Sequence, residues 1–144
     1  MMRALAVCDI PAMLVIEQLT QAVPWSLEIF QDCFCQGCLS WGIELNHSLI
    51  GLIMVKQQAD ECHILNVCVH PEYQRQGWGK TLLEHALLEC SKAGVKMVYL
   101  EVRQSNVRAI VLYEREGFMK IGERKDYYPL PEGREDALIL AKMI

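Results

Sequence analysis

The order of elements between residues 62 and 103 restricts the fold more than any other feature of the chain. "CHILNVCV" reads as a short apolar strand, Lys80 to Ala93 as a helix, and "KMVYLEVR" as a second strand. Leu82, Leu83, Ala86, Leu87 and Cys90 make an apolar stripe at helical spacing, and Gly94 supplies the stop. A strand, a helix and a strand in that order make a parallel pair joined by a right-handed crossover. The flanks add antiparallel strands. "LSWGIEL" and "LIGLIMVKQQ" enclose "NHS" as a hairpin, and "FMKIGERKD" and "EDALILAKMI" are strands joined by a loop, "YYPLPEGR". "DIPAMLVIEQLTQA" reads as a helix with Asp9 as N-cap and Pro11 in its first turn. "VPWS" breaks the chain, and Ser26 then caps a second short helix through Cys35. Asn106 caps "VRAIVLYERE", which Gly117 ends. The expected fold class is α/β, with a mixed, mostly antiparallel sheet.

A length of 144 residues suits a single domain, 1–144. No run approaches the roughly 18 apolar residues of a membrane span. The start "MMRALAVCDIPAML" lacks a signal-peptide layout, because Asp9 and Pro11 interrupt it. Seven cysteines cannot all pair within the chain, so we expect free thiols in a reducing, cytoplasmic setting. The net charge of −4 argues against direct nucleic-acid binding and suits a basic partner. Cys33, Cys35 and Cys38, with His47 nearby, have zinc-like spacing. A second CxxC pair is missing and the first two cysteines fall on a helix, so we expect packing or surface thiols and no metal.

"VHPEYQRQGWGK" places two glycines and two cations just where a helix starts. A helix N-terminus carries unpaired N–H groups and about half a positive charge, and glycine admits a ligand close to backbone. Gly77 and Gly79, beside Arg75 and Lys80, suit a phosphate or pyrophosphate. The alternative is a loop that is merely rich in glycine. The spacing to the lysine is not that of a P-loop, and a dinucleotide fingerprint would need a third glycine. Two further residues stand out. Alternation in "KMVYLEVR" puts Val98, Leu100 and Val102 on one face and Met97, Tyr99, Glu101 and Arg103 on the other. Glu101 is then a general base or half of a buried ion pair, with Arg103 or another cation. Tyr113 follows Ala109 and Ile110 at helical spacing and is core packing or an acid.

Gln74-x-x-Gly77-x-Gly79 resembles the acetyl-CoA signature of the GNAT N-acetyltransferases. Together with "LEVRQSNVRAIVLYEREGF", "DYYPLPEGREDALIL" and "VPWS", it resembles the RimI subfamily, the ribosomal-protein alanine N-acetyltransferases. The resemblance covers nearly the whole chain. It implies the GNAT fold, in which a central pair of parallel strands splays apart and helices cover both faces. It implies acetyl-CoA as cosubstrate, held by Arg75, Gln76, Gly77, Trp78, Gly79 and Lys80, by backbone at Val67, Cys68 and Val69, and by Asn106. It implies Glu101 as a base working through water and Tyr113 as the acid that protonates the departing sulfur. Cys68 is read as a small buried residue. Trp25, between Pro24 and Ser26, would border the acceptor with Tyr127 and Tyr128, which otherwise read as half-buried rings of a proline-fixed loop. Glu132, Glu135 and Asp136 would steer a basic peptide. The implied acceptor is the N-terminal peptide of a ribosomal protein, the alanine of small-subunit protein eighteen in the subfamily. We expect no membrane association, and a monomer or weak homodimer. Lysine side chains and small-molecule amines are the competing acceptors within the family, and a non-catalytic acyl-CoA-binding regulator is the competing class.

Overall fold

The expected crossover organises the fold in the computed structural model, which describes residues 1–144. β4 (Glu61–Val69), α3 (Trp78–Lys92) and β5 (Met97–Arg103) form it, and the two strands run parallel from Glu61 opposite Met97 to Ile64 opposite Leu100. β1 (Met2–Ala4), β2 (Leu39–Leu45) and β3 (Ser48–Gln58) extend the sheet on one side of this pair. β7 (Gly133–Met143) and β6 (Met119–Leu130) extend it on the other. The order is β1-β2-β3-β4-β5-β7-β6, and every contact but β4–β5 is antiparallel.

Two apolar layers sandwich the sheet. On one face, Leu82, Leu83 and Ala86 of α3 pack with Val98, Leu100 and Val102, joined by Tyr113 of α4 (Val107–Arg115). On the other, Ile10, Met13 and Ile16 of α1 (Ile10–Thr20) and Phe30 of α2 (Leu27–Cys35) cover Leu52 and Met54. No helix is long and apolar enough to cross a membrane.

The parallel pair then opens. Beyond Ile64 and Leu100 its register stops, while β5 stays paired with β7 through Arg103 opposite Ala137. β4 follows β3 instead, with Asn66 opposite Met54 and Ile64 opposite Val55. Leu65 is therefore an extra residue, a bulge that bends β4 away from β5 at the last shared rung.

Local chemistry accounts for the caps. The Ser26 hydroxyl accepts from the Ile29 N–H at 3.3 Å, and the Asn106 side chain accepts from that of Ala109 at 3.3 Å. Asn46 and His47 both have positive φ, as the tight hairpin turn between β2 and β3 requires. Four expectations change. α3 starts at Trp78, two residues before Lys80, because Gly77 takes the left-handed conformation that turns the chain into it. Asp9 stands at the N-cap position of α1, but its side chain makes no capping bond there. Its carboxylate accepts from the Ala6 N–H at 2.8 Å and pairs with Arg3 at 2.7 Å, closing a short 3-10 turn over Val7–Asp9. β1 was not foreseen, since three residues carry no periodicity.

The fourth change concerns "YYPLPEGR". Tyr127 and Tyr128 lie within β6, not in a loop, and the turn shrinks to Pro131 and Glu132. A wide bulge leaves Lys125, Asp126 and Tyr127 between the Arg124–Ala137 and Tyr128–Glu135 pairs. Asp126 has φ 51°. The Asp136 carboxylate accepts its N–H at 2.9 Å, and Arg134 donates to the carbonyls of Asp126 and Tyr127 at 2.6 and 3.1 Å.

Candidate active site

Two clefts meet where β4 and β5 part. The smaller, about 310 Å³, is lined by α1, the α1–α2 loop, β5 and β6, and includes Glu17, Trp25, Glu101, Arg103 and Tyr128. The larger, about 710 Å³, is lined by the turn before α3 and by α4, and includes Arg75, Gly77, Trp78, Gly79 and Lys80. Gln21, Val67, Asn106 and Tyr113 line both. These residues mark the passage between the clefts.

The larger cleft presents backbone. Gly77 has φ +87°, and apart from its own neighbours along the chain no protein atom lies within 4 Å of where a Cβ would stand, so its main chain faces open space. Gln74 Nε2 donates to the Val69 carbonyl at 2.9 Å and ties this turn to the end of β4. The His70 N–H donates to Ile50 O of β3 at 2.7 Å. Antiparallel alternation then directs the Cys68 N–H toward β3 and those of Val67 and Val69 toward the gap. Cys68 is buried, with Sγ 4.0 Å from Glu17 Oε1. Gln76 does not line the cleft. Its Oε1 accepts from Trp78 Nε1 at 3.3 Å.

The family model of the acetyltransferase (GNAT) family matches residues 10–118 of this chain, a span that contains all four passage residues. The chain belongs to the GNAT acetyltransferase family. It is 41% identical over 138 residues to the ribosomal protein bS18-alanine N-acetyltransferase of Escherichia coli K12, covering 96% of this chain and 93% of that one. It is 36% identical to the protein of that name from Haemophilus influenzae, over 93% and 92% of the two chains. A crystal structure of the Escherichia coli ribosomal-protein-alanine N-acetyltransferase superposes with a TM-score of 0.95 at 40% identity, over 100% of this chain and 93% of that one.

GNAT acetyltransferases use acetyl-CoA, and the larger cleft suits it on its own terms. The open main chain at Gly77 adjoins Arg75 and Lys80, and Arg108 and Arg115 add cations for further phosphates. The free N–H groups of the gap suit an amide-bearing arm.

In the smaller cleft Glu101 is nearly enclosed, its side chain 7% exposed. Its partner is not Arg103. His63 Nε2 on β4 bonds Oε2, and Arg124 Nε on β6 lies 3.3 Å from Oε1. His63 stacks on Tyr99, ring centroids 4.4 Å apart. Arg103 pairs with Glu135 at 3.0 Å and lies 4.5 Å over the Tyr128 ring. Burial alone raises the Glu101 carboxyl, but the His63 hydrogen bond and charge, with Arg124, outweigh it and hold the group below the usual carboxylate range. Removing His63 takes away the larger part of that opposition. A ¹³C NMR titration of the Glu101 carboxyl is expected to move to higher pH in His63→Gln, and an unmoved titration would show that the pair does not set its ionisation.

Tyr113 is buried against Phe118, and burial pushes its phenol up to about 12. Trp25 packs edge-on against Phe30, with centroids 5.2 Å apart. Tyr128 reaches the cleft. Tyr127 does not: it is 42% exposed, beneath the Arg124 guanidinium. Glu135 and Asp136 are committed to Arg103 and Lys125, so of the three acids expected to steer a peptide, Glu135 ties β7 to β5 and Asp136 braces the β6–β7 hairpin. Cys33 is half-buried, Cys35 exposed and Cys38 buried, and no three potential ligands converge on a metal position.

His63, Arg124, Glu17 and Asn66 are additions to the site. Glu17 left a trace in the sequence, one acid on the stripe of Ile10 and Met13. His63 and Arg124 left none, since only the register between strands brings them to Glu101.

Proposed function

We propose that this chain transfers the acetyl group of acetyl-CoA to the N-terminal α-amine of a protein. The target is the N-terminal alanine of a ribosomal protein, the reaction named for its relatives from Escherichia coli and Haemophilus influenzae. The whole chain acts as one catalytic unit in the cytoplasm. One observation carries the reading: two clefts on different sides of the sheet meet at Val67, Asn106 and Tyr113, with Glu101 on one side and the glycine turn on the other.

Acetyl-CoA supplies an activated acyl carbonyl and a sulfur leaving group. Arg75, Lys80 and the main chain from Gly77 to Gly79 hold its pyrophosphate. The N–H groups of Val67 and Val69 bind its arm and polarise the carbonyl oxygen. Trp25 and Tyr128 border the incoming peptide. Glu101 takes the amine proton through water, and Tyr113 donates to the sulfur.

Acceptor choice follows from ionisation. An α-amine near 7.8 is neutral to the extent of about a tenth at pH 7, whereas a lysine near 10.4 is neutral for less than about one part in a thousand. The gap is about 3.5 kcal/mol. A carboxylate held below its ordinary range is a weak base, sufficient for the first amine and not for the second. Mass spectrometry of peptides incubated with acetyl-CoA tests this. A peptide starting Ala-Arg is expected to gain one acetyl group at its N-terminus, ahead of a Met-Lys start, with internal lysine slower by about two to three orders of magnitude at pH 7. Lysine acetylation at an equal rate would establish the side-chain acceptor instead, and binding without turnover would establish a regulator.

A further inference from the structure

Glu17 is the one acidic residue buried in the core, 1% exposed on the inner stripe of α1. Each of its carboxylate oxygens receives a different element. Oε2 accepts the Trp25 backbone N–H at 2.9 Å, from the α1–α2 loop. Oε1 accepts Asn66 Nδ2 at 2.7 Å, from β4. The Asn66 carbonyl oxygen in turn accepts from Gln21 Nε2 at 3.4 Å. Asn66 stands between the Leu65 bulge and Val67, whose N–H faces the gap. Trp25 and Glu17 both line the smaller cleft.

A buried carboxylate is seldom the most stable filling for a core. An apolar side chain of similar volume avoids the desolvation but leaves the Trp25 N–H and the Asn66 amide without an acceptor. Beyond satisfying these two donors, its two bonds share one geometric result. They fix the loop that borders the acceptor to the strand that would polarise the acyl carbonyl.

We propose that Glu17 is a positioning residue that ties the acceptor loop at Trp25 to β4 at Asn66, so that amine and acyl carbonyl are held in one frame. The inference rests on the acetyltransferase reading above. Glu17 acts through its two partners and does not itself exchange a proton with the substrates. Its amide analogue preserves the tie. In Glu17→Gln, the new NH₂ faces Asn66, whose amide reverses to present Oδ1, and Gln21 reverses in turn. A methionine of similar volume fills the space and severs both bonds.

The test compares wild type, Glu17→Gln and Glu17→Met. The methionine variant is expected to melt below the wild-type temperature, because two buried donors lose their acceptor, yet to stay folded and bind acetyl-CoA within about twofold by calorimetry. Its kcat with an Ala-Arg peptide falls by about 10- to 100-fold, because small misplacements of reacting groups cost that much, and its acceptor KM rises. The glutamine variant recovers most of the rate. Backbone NMR reads the same tie without turnover: the amide signals of Trp25 and Val67 shift together in Glu17→Met and move far less in Glu17→Gln. A methionine variant with wild-type kcat and acceptor KM overturns the proposal, as do unmoved Trp25 and Val67 signals. A wild-type chain that acetylates no peptide overturns the proposed function, and the NMR comparison still decides the tie.

Discussion

Glu101→Gln lowers kcat/KM for an N-terminal peptide by about 10²- to 10⁴-fold, the span of a lost general base, while acetyl-CoA binds as before. Glutamine keeps the size and polarity of the side chain in its nearly enclosed place between His63 and Arg124, so the cleft keeps its shape. What goes is the ability to accept a proton. The deficit should shrink as the pH rises, because an α-amine near 7.8 loses its proton unaided on the alkaline side. Steady-state rates from pH 6 to pH 9, with calorimetry of acetyl-CoA binding, check both halves. An unimpaired variant at pH 7 would remove Glu101 from the chemistry and leave it an ion-pair residue.

Tyr113→Phe lowers kcat by about 10²-fold, with little change in acceptor KM. The ring stays packed on Phe118, and only one oxygen is lost. The phenol lies near 12 and a leaving thiol near 8.5, so complete proton transfer is uphill by about 5 kcal/mol. In the proposed mechanism Tyr113 therefore acts chiefly by donating a hydrogen bond to the sulfur as charge gathers there, and the proton passes late. The sign of the pH effect follows. Because the phenol is raised, it stays protonated far above neutrality, and the wild-type profile should show no fall from Tyr113 below about pH 11. Single-turnover rates across that range check this. A downward limb near pH 9 that disappears in Tyr113→Phe would mean a phenol far more acidic than its burial allows.

The crossover, the hairpin at Asn46–His47 and the caps at Ser26 and Asn106 were legible because each is written in contiguous residues. The glycine turn was legible for the same reason, and three central segments in combination carried the family. What lay hidden depends on the pairing of distant strands. Leu65 looks like any residue of an apolar strand, and only its register against β3 makes it a bulge. Arg103 shares a strand face with Glu101, so it was the natural partner to expect. Glu135 on β7 claims Arg103, and Glu101 is left to His63 and Arg124. Tyr127 and Tyr128 read as loop because proline and charge surround them. Asp136 and Arg134 hold that charged stretch as a bulge within β6, which puts one ring in the cleft and the other outside.

The opening between β4 and β5 makes the sheet a wall with a slot, approached by a separate door on each side. A bulky guest, such as a polypeptide still attached to a large assembly, can present its first residue at one door without obstructing traffic through the other. In the proposed reaction, spent CoA would leave by the way it came while the acetylated tail backs out opposite. Neither departure has to wait for the other, so the architecture itself imposes no fixed order of exit.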